Sequence, residues 1–265
     1  MPSVDRPSGL NAAMILAARI ALCGTVLMLM AADAFAADAP CPAASLVRLD
    51  LPVTRAAVAR GQAITVVALG SSSTEGAGAS APDRTYPARL EAMLRANWPD
   101  AGVTVLNRGI GGQTIDAVLP RIDPDVAAAK PALVIWQVGT NEAMRGMDPA
   151  QFDSMLDEGL RRLTAIGSDV VLMDYQVAPR MPPEDKRDVY GAIIAKEARA
   201  HAVPLFSRAA LMRSWQAVDP TAADMIGPDG LHHSDRGYAC LAASLDSSIM
   251  AGSTSGIAVV NVNRK

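Results

Sequence analysis

Residues 64–76 read ITVVALGSSSTEG, a nearly continuous apolar run followed at once by glycine, three serines and a threonine. An apolar run of this length without alternation is typical of a strand that is covered on both faces. Four further runs of the same kind follow at residues 103–107, 133–138, 170–175 and 203–206. The sequence therefore predicts five buried strands, the first over residues 64–69.

Helical patterns separate the predicted strands. Asp148 is a candidate N-cap with Pro149 at the first helical position, and apolar residues then keep helical spacing until Gly167. A last amphipathic helix is predicted from about Ser234. Strands that alternate with helices indicate βαβ units, a parallel sheet and right-handed crossovers. We expect a single α/β domain with three layers.

The composition excludes several classes of function. Half of the 265 residues are hydrophobic and the net charge is −3, whereas proteins that bind nucleic acid through its phosphates usually carry a basic surplus. Three histidines and three cysteines leave little material for a histidine-built metal cluster or a zinc ribbon. We therefore expect no nucleic-acid partner.

The first forty residues have the pattern of an export signal. An apolar run over residues 20–32 follows Arg19 and precedes Ala34-Phe35-Ala36, a small-x-small cleavage pattern. This predicts a signal peptide over residues 1–36 and a periplasmic or extracellular protein without stable membrane insertion after cleavage. An uncleaved membrane anchor is the alternative, although the run is short for a bilayer span.

Beyond the signal peptide we expect an N-terminal extension over residues 37–62, the α/β domain over residues 63–251 and a flexible tail over residues 252–265. Cleavage would leave two cysteines, Cys41 and Cys240. In an oxidising compartment such a pair can form a disulfide. The alternative is that Cys240 is a small buried hydrophobe and Cys41 a free thiol. The sequence contains no distance that decides between them.

Small and polar residues follow three of the predicted strands and recur in a later loop. Ligands of open parallel sheets bind at the carboxyl ends of the strands, where these segments would meet. Acyl transfer needs a nucleophile, a base with a group that orients it, and donors for an oxyanion. The segments that supply such groups are residues 70–76 (GSSSTEG), 107–112 (NRGIGG), 139–142 (GTNE) and 229–232 (DGLH).

Taken singly, each of these groups has an ordinary structural role. Glycine and serine are common in tight turns, and Ser72 would be structural on that ground alone. Asn141 could cap a helix, and Asp229 and His232 could be surface loop residues. Their joint occurrence in this order indicates a catalytic site.

The first segment resembles the G-D-S-L-T-x-G block of the SGNH hydrolases, which are also called GDSL-type esterases and lipases. Gly70, Thr74 and Gly76 set the register, and that register selects Ser72 from three consecutive serines as the nucleophile. The resemblance covers most of the chain, from about residue 63 to residue 251.

The remaining segments match further blocks of the same family in the same order. The resemblance implies that Gly112 of the N-x-G-x-x-G block and Asn141 of the G-x-N-D block form the oxyanion hole with the Ser72 N–H. Asp229 and His232 of the D-x-x-H block would complete a catalytic triad with Ser72.

Four positions depart from the family pattern. Ser71 and Glu142 stand where the family has aspartates, and Ser73 stands where it has leucine. Neither aspartate position carries the reaction in the family, so we interpret both changes as tolerated in the scaffold of the site. His233 follows His232 where the family usually has proline, and it could be a bystander or line the pocket.

The resemblance implies a three-layer α/β/α sandwich with a five-stranded parallel sheet in flavodoxin-like order. It implies a serine esterase that needs no metal and no organic cofactor. The loop of residues 76–84 and the segment of residues 176–186 follow strands and are expected to border the pocket. Neither contains a long apolar stretch, which favours short acyl groups on a small-molecule or polysaccharide ester. The alternatives are a polysaccharide O-acetyl esterase or acetyltransferase of the cell envelope, and a non-catalytic carbohydrate-binding protein on the same fold.

Overall fold

A computed structural model describes residues 40–42, 47–218 and 222–253 of the chain. The signal peptide predicted for residues 1–36 lies outside these ranges, and so do residues 254–265 of the predicted tail. The chain contains no helix within the described ranges that is long and apolar enough to cross a membrane.

Five parallel strands form one sheet in the order β2-β1-β3-β4-β5. Their bounds are β1 Ile64–Gly70, β2 Val103–Gly109, β3 Leu133–Gln137, β4 Asp169–Met173 and β5 Leu205–Phe206. Val66 of β1 lies opposite Val105 of β2 and Leu133 of β3, so β1 occupies the position between its two neighbours. The predicted five-stranded parallel sheet and its flavodoxin-like strand order are confirmed.

Helices cover both faces of the sheet. The helices of the described ranges are α1 Pro52–Ala59, α2 Ser72–Glu75, α3 Tyr86–Asn97, α4 Ile115–Val118, α5 Thr140–Arg145, α6 Pro149–Ala165, α7 Glu184–Ala200, α8 Arg208–Val218 and α9 Asp235–Ser253. Helices α3 and α9 pack together on one face, and helices α6 and α7 pack together on the other, which makes the predicted three layers.

The local signals for two helices have the expected structural basis. The Asp148 carboxylate accepts a hydrogen bond from Gln151 N–H at 2.9 Å, so Asp148 caps α6 as predicted, with Pro149 as its first residue. Gly167, two residues beyond α6, has a φ of +83°, a conformation that glycine adopts without strain. The last helix begins one residue after the predicted Ser234.

The last two strands differ from the predicted bounds. β5 has only two residues instead of the predicted 203–206, because Pro204 has no N–H to donate to a sheet. The Pro204 carbonyl still accepts from Leu172 N–H at 3.0 Å. β4 ends before Asp174, whose carboxylate accepts hydrogen bonds from Ser207 Oγ and Ala209 N–H beyond β5. These bonds draw the chain out of the sheet ladder.

Residues on both sides of the predicted domain bounds contribute to its core. Leu49 and Leu51, in the segment predicted as an extension, are buried, and Leu49 N–H donates to Ser248 O at 3.3 Å. Helix α9 continues through the first two residues of the predicted tail. Gly252 lies so close to the Leu49 carbonyl that a Cβ there would be 1.6 Å from its oxygen. Only glycine fits at this contact.

Cys41 and Cys240 form a disulfide with a Cα–Cα distance of 5.3 Å. The sequence leaves open whether these cysteines are bonded or free, and in the structure they are bonded. The bond links residue 41 to helix α9 and closes a loop with a sequence separation of 199 residues. Closing a long loop removes much conformational freedom from the unfolded chain.

We expect Cys41→Ser to lower the free energy of unfolding by about 2–5 kcal/mol, because the unfolded chain regains the freedom that the disulfide removes. Urea denaturation with and without a reductant measures this. Reductant should destabilise the wild type to the level of the variant and leave the variant unchanged. Equal stability of the oxidised wild type and the variant would contradict the prediction.

Candidate active site

Ser72 lies at the first position of α2, immediately after β1. Gly76 ends this short helix with a φ of +110°, a value that favours glycine. The helix also touches the end of β2, since a Cβ on Gly109 would lie 2.0 Å from Glu75 N. The close approach of α2 to β2 therefore requires a residue without a side chain at position 109.

The structure brings Ser72, His232 and Asp229 into one hydrogen-bonded chain. His232 Nε2 lies 2.8 Å from Ser72 Oγ, and His232 Nδ1 lies 2.5 Å from Asp229 Oδ2. The bond between Ser72 and His232 joins residues that are 160 positions apart in the sequence. This is the mutual geometry that a nucleophile, a base and an orienting carboxylate require.

The Asp229 carboxylate is held in its ionised form. Partial burial acts to raise its pKa, but hydrogen bonds from Leu231 N–H and from the ring and N–H of His232 outweigh it and lower the pKa to about 2. Asp229 Oδ1 accepts from Leu231 N at 2.9 Å and from His232 N at 3.0 Å. The carboxylate thus fixes the loop backbone with one oxygen and the imidazole with the other.

Three potential oxyanion donors lie near this chain. The N–H groups of Ser72 and Gly112 have no acceptor among the residues that the structure describes. A Cβ on Gly111, which precedes Gly112, would lie 3.9 Å from Ser72 Cβ, so this loop passes beside Ser72. Asn141 is nearly buried, and its Nδ2 donates to Gln113 O at 2.7 Å.

Helix α5 holds the Gly112 loop with three side chains. In addition to Asn141, Arg145 donates from Nη2 to Gly112 O at 2.6 Å, and Glu142 Oε1 accepts from Ile115 N–H at 2.7 Å. The other Glu142 oxygen accepts from Gly139 N–H at 2.9 Å, and burial raises the pKa of this carboxyl. The sequence analysis did not identify Arg145 as a residue of the site. The only sequence signal for it is its position near the end of the short helix that carries Asn141.

The serines at the two departures in the first block have buried partners. Ser71 donates both its N–H and its hydroxyl to Gln137 Oε1, at 3.0 and 3.1 Å. Ser73 Oγ donates to Gln176 Oε1 at 2.8 Å. Two buried glutamines, which the sequence did not single out, therefore satisfy the hydroxyls that stand in place of aspartate and leucine.

The structure separates the roles of the two adjacent histidines. His233 is fully buried, with its ring 5.3 Å from that of Tyr238 and 6.3 Å from that of Trp215. Burial, with a smaller contribution from the Arg208 charge, lowers the pKa of His233 to about 3. His233 is thus a neutral core residue that does not line the pocket, while His232 faces Ser72.

The two segments expected to border the pocket both lie against the His232 loop. A Cβ on Gly78 would lie 3.0 Å from His232 Cβ. Arg180 donates from its N–H to Gly230 O at 3.0 Å and from Nη1 to Asp229 O at 3.4 Å. Residues 76–84 and 176–186 therefore both contact the loop that carries His232.

A second cluster of polar groups lies between α6 and the end of α7. Ligand atoms of Asp157, Glu197 and His201 lie within 4.8 Å of one another, a spacing that a metal ion could use. Each carboxylate also has a cation at hand, since Arg161 pairs with Asp157 and Lys196 with Glu197. Both of these ion pairs lie within a single helix, and the 2.9 Å contact between His201 Nε2 and Asp157 Oδ1 links α6 to the residue that follows α7.

A sequence profile of the Non-GDSL lipase-like family matches residues 36–255. The chain belongs to this family. The SGNH hydrolase superfamily indicated by the four sequence blocks is thereby confirmed.

The chain is similar in sequence to several esterases. The chain is 37% identical over 120 residues to the esterase TesA of Pseudomonas aeruginosa, a match that covers 43% of this chain and 59% of that protein. It is 36% identical over 63 residues to an acetylxylan esterase of Geobacillus stearothermophilus, covering 24% of this chain and 29% of the relative. The chain spans less than two thirds of the length of either relative.

Solved structures share the fold of this family member. A two-domain esterase active on acetylated mannans superposes with a TM-score of 0.65 at 22% identity, over 78% of this chain and 55% of the other. The crystal structure of TesA superposes with a TM-score of 0.58 at 24% identity, over 68% of this chain and 95% of the other. At these identities the likeness concerns the fold alone.

We expect His233→Phe to flatten the dependence of stability on pH. The folded-state pKa of about 3 lies below the ordinary value of 6.5, so between these values the unfolded state binds a proton that the folded state does not. The wild type should therefore lose on the order of 3 kcal/mol more than the variant as the pH falls from 6.5 to 4. Urea midpoints at both pH values measure this, and parallel losses in the two proteins would refute it.

Proposed function

We propose that this protein is a serine esterase that hydrolyses short-chain carboxylic esters through Ser72, His232 and Asp229. The observation that carries the proposal is the unbroken hydrogen-bonded chain from Ser72 Oγ through His232 to Asp229. Membership of a lipase-like family and the esterase relatives support the same reaction class.

The reaction begins when Ser72 Oγ attacks the ester carbonyl carbon and His232 Nε2 takes the hydroxyl proton. Asp229 holds the imidazole in the required tautomer and stabilises its charged form. The tetrahedral intermediate collapses to an acyl-enzyme, and His232 returns the proton to the leaving alcohol. His232 then takes a proton from water, which attacks the acyl carbon, and it returns that proton to Ser72 Oγ as the second tetrahedral intermediate collapses and releases the acid.

The developing oxyanion would be met by the N–H groups of Ser72 and Gly112 and by the Asn141 side chain. Donors aimed at this position act strongly because they need no reorganisation during the reaction. The bond from Asn141 Nδ2 to Gln113 O keeps the amide in place, and the second N–H of the same NH₂ group can serve the oxyanion.

The surroundings of Ser72 favour a small acyl group. Glu75, one turn along α2, places its carboxylate 2.8 Å from the position of a Cβ on Gly111. This carboxylate and the glycines at positions 111 and 112 provide little apolar surface beside Ser72 for a long fatty acyl chain.

An acetylated polysaccharide is the second candidate substrate. One relative is an acetylxylan esterase, and one structural neighbour is an esterase active on acetylated mannans. The same Ser72 and His232 would remove an acetyl group from a sugar hydroxyl or transfer it to another one. Acetyl transfer to an added sugar acceptor, with slow release of free acetate, would distinguish a transferase from a hydrolase.

We also propose that the protein acts outside the cytoplasm. The disulfide between Cys41 and Cys240 supports this, since such bonds persist in oxidising compartments. The predicted signal peptide over residues 1–36 agrees with it.

We expect the wild type to hydrolyse p-nitrophenyl acetate and butyrate faster than the octanoate, and Ser72→Ala to abolish all three activities. A fluorophosphonate probe should label the wild type and not the variant, because only an activated serine reacts. Ser168→Ala is the matched control, since Ser168 lies just before β4 at the opposite end of the sheet. Its activity should equal that of the wild type.

Two results would count against this proposal. Hydrolysis that persists in Ser72→Ala would assign the activity to another group. A wild type that neither cleaves an ester nor reacts with the probe would instead favour the non-catalytic carbohydrate-binding protein on the same fold.

We expect Asn141→Ala to lower kcat by about 10²–10³-fold with a smaller change in KM, because the lost donor acts mainly in the transition state. Steady-state kinetics on p-nitrophenyl acetate measure this. Asn97→Ala is the control, since Asn97 is an exposed asparagine that bonds Asp246 on α9. A loss confined to KM would mean that Asn141 binds substrate without acting as an oxyanion donor.

A further inference from the structure

We propose that Gln176 is a positioning residue that sets the distance between Ser72 and His232. Its side chain connects the short segment that carries the nucleophile to the loop that carries the base. The inference rests on the proposed esterase function, because it assigns the geometry of the same site.

The Gln176 amide uses both of its ends. Oε1 accepts from Ser73 Oγ at 2.8 Å, and Nε2 donates to Leu231 O at 2.7 Å. Ser73 directly follows Ser72, and Leu231 directly precedes His232. One side chain therefore bonds to the chain neighbours of both reacting residues.

These contacts join three separate parts of the chain. Gln176 lies 103 positions from Ser73 and 55 positions from Leu231, just beyond the end of β4. Helix α2 is fixed to the sheet from the other side by the bonds from Ser71 to Gln137 on β3.

Two further bonds connect the segments that follow Ser72 and His232, from Ser80 N–H to Asp235 at 2.8 Å and from the Tyr238 hydroxyl to Ala77 O at 2.7 Å. Gln176 differs from them because it bonds the residues directly adjacent to Ser72 and His232.

Burial makes these two bonds specific. Gln176 is 0% exposed and Ser73 is 1% exposed, so neither polar group can exchange its partner for bulk water. Breaking either bond would leave a buried polar group without a partner, which costs free energy. This cost opposes any shift of either segment. The arrangement therefore holds Ser72 Oγ and His232 Nε2 at their 2.8 Å separation.

The first test is Gln176→Leu, which keeps the approximate volume and removes both bonds. We expect kcat on p-nitrophenyl acetate to fall about 10- to 100-fold with little change in KM, because the reacting groups lose alignment and the substrate contacts remain. The rate of fluorophosphonate labelling should fall in parallel.

The matched control is Thr54→Val, which also removes a buried hydrogen bond. Thr54 is 0% exposed, and its Oγ1 donates to Ala132 O at 3.3 Å, at the end of the sheet away from Ser72. This variant should lose thermal stability and keep its kcat. If Gln176→Leu keeps kcat within twofold, or raises KM alone, the proposal is overturned.

Gln176→Glu provides a readout that a packing defect would not produce. A protonated carboxyl can still donate to Leu231 O, whereas an ionised one would face that carbonyl with a negative oxygen. The kcat of the variant divided by that of the wild type should therefore fall as the pH rises. A ratio that does not change with pH would contradict the bond to Leu231.

Ser73→Ala tests the other half of the connection. Alone it should lower kcat less than Gln176→Leu, because the bond to Leu231 stays. In the Gln176→Leu background it should have no further effect, since the bond it removes is already absent. Independent, multiplicative losses would show that the two residues do not act together.

Hydrogen–deuterium exchange separates this proposal from the esterase proposal. Backbone amides of residues 229–233 should exchange faster in Gln176→Leu than in the wild type or in Thr54→Val, whether or not the protein cleaves esters. Unchanged exchange would overturn the role of Gln176 even in an active enzyme. If Gln176→Leu exchanges faster but the wild type cleaves no ester, the positioning role of Gln176 is supported and the esterase function is rejected.

Discussion

The parallel alignment of β1 between β2 and β3 is the constraint on which the site depends. Parallel strands end at one edge of the sheet, so the segments that follow them must meet there. Ser72 follows β1, Gly112 follows β2 and Asn141 follows β3. Gly109 lets α2 lie against the end of β2, which brings the nucleophile beside the Gly112 loop. A different strand order would place these groups on separate parts of the surface.

Beneath this edge, buried polar side chains replace the apolar packing of an ordinary core. Gln137 and Glu142 each bond to one other segment of the chain, Gln176 bonds to two, and all three lie within the protein interior. Such groups stabilise only the arrangement in which all of their bonds are made. The site is therefore held in place by hydrogen bonds, which are directional. Burying polar groups costs free energy, and the apolar strands below the site offset that cost.

The proposed oxyanion donors and the proposed triad are supported by different elements. Helix α5 fixes the Gly112 loop through Asn141, Glu142 and Arg145, which connects two of the three proposed donors to each other. Gln176 and the Asp229 carboxylate fix the loop that carries His232. Ser72 lies between the two systems, at the start of a helix that β1 and β2 hold in place.

Local patterns in the sequence determined the five strands and the Asp148 cap, because each depends on residues that are neighbours in the chain, and the resemblance to the first family block singled out Ser72. The family spacing from Asp229 selects His232 from the two adjacent histidines, but only tertiary packing decides that His233 is buried and that His232 faces Ser72. The disulfide of Cys41 and the bonds of Gln176 were likewise decided by packing. They join residues between 55 and 199 positions apart, and no local pattern carries the distance between such residues.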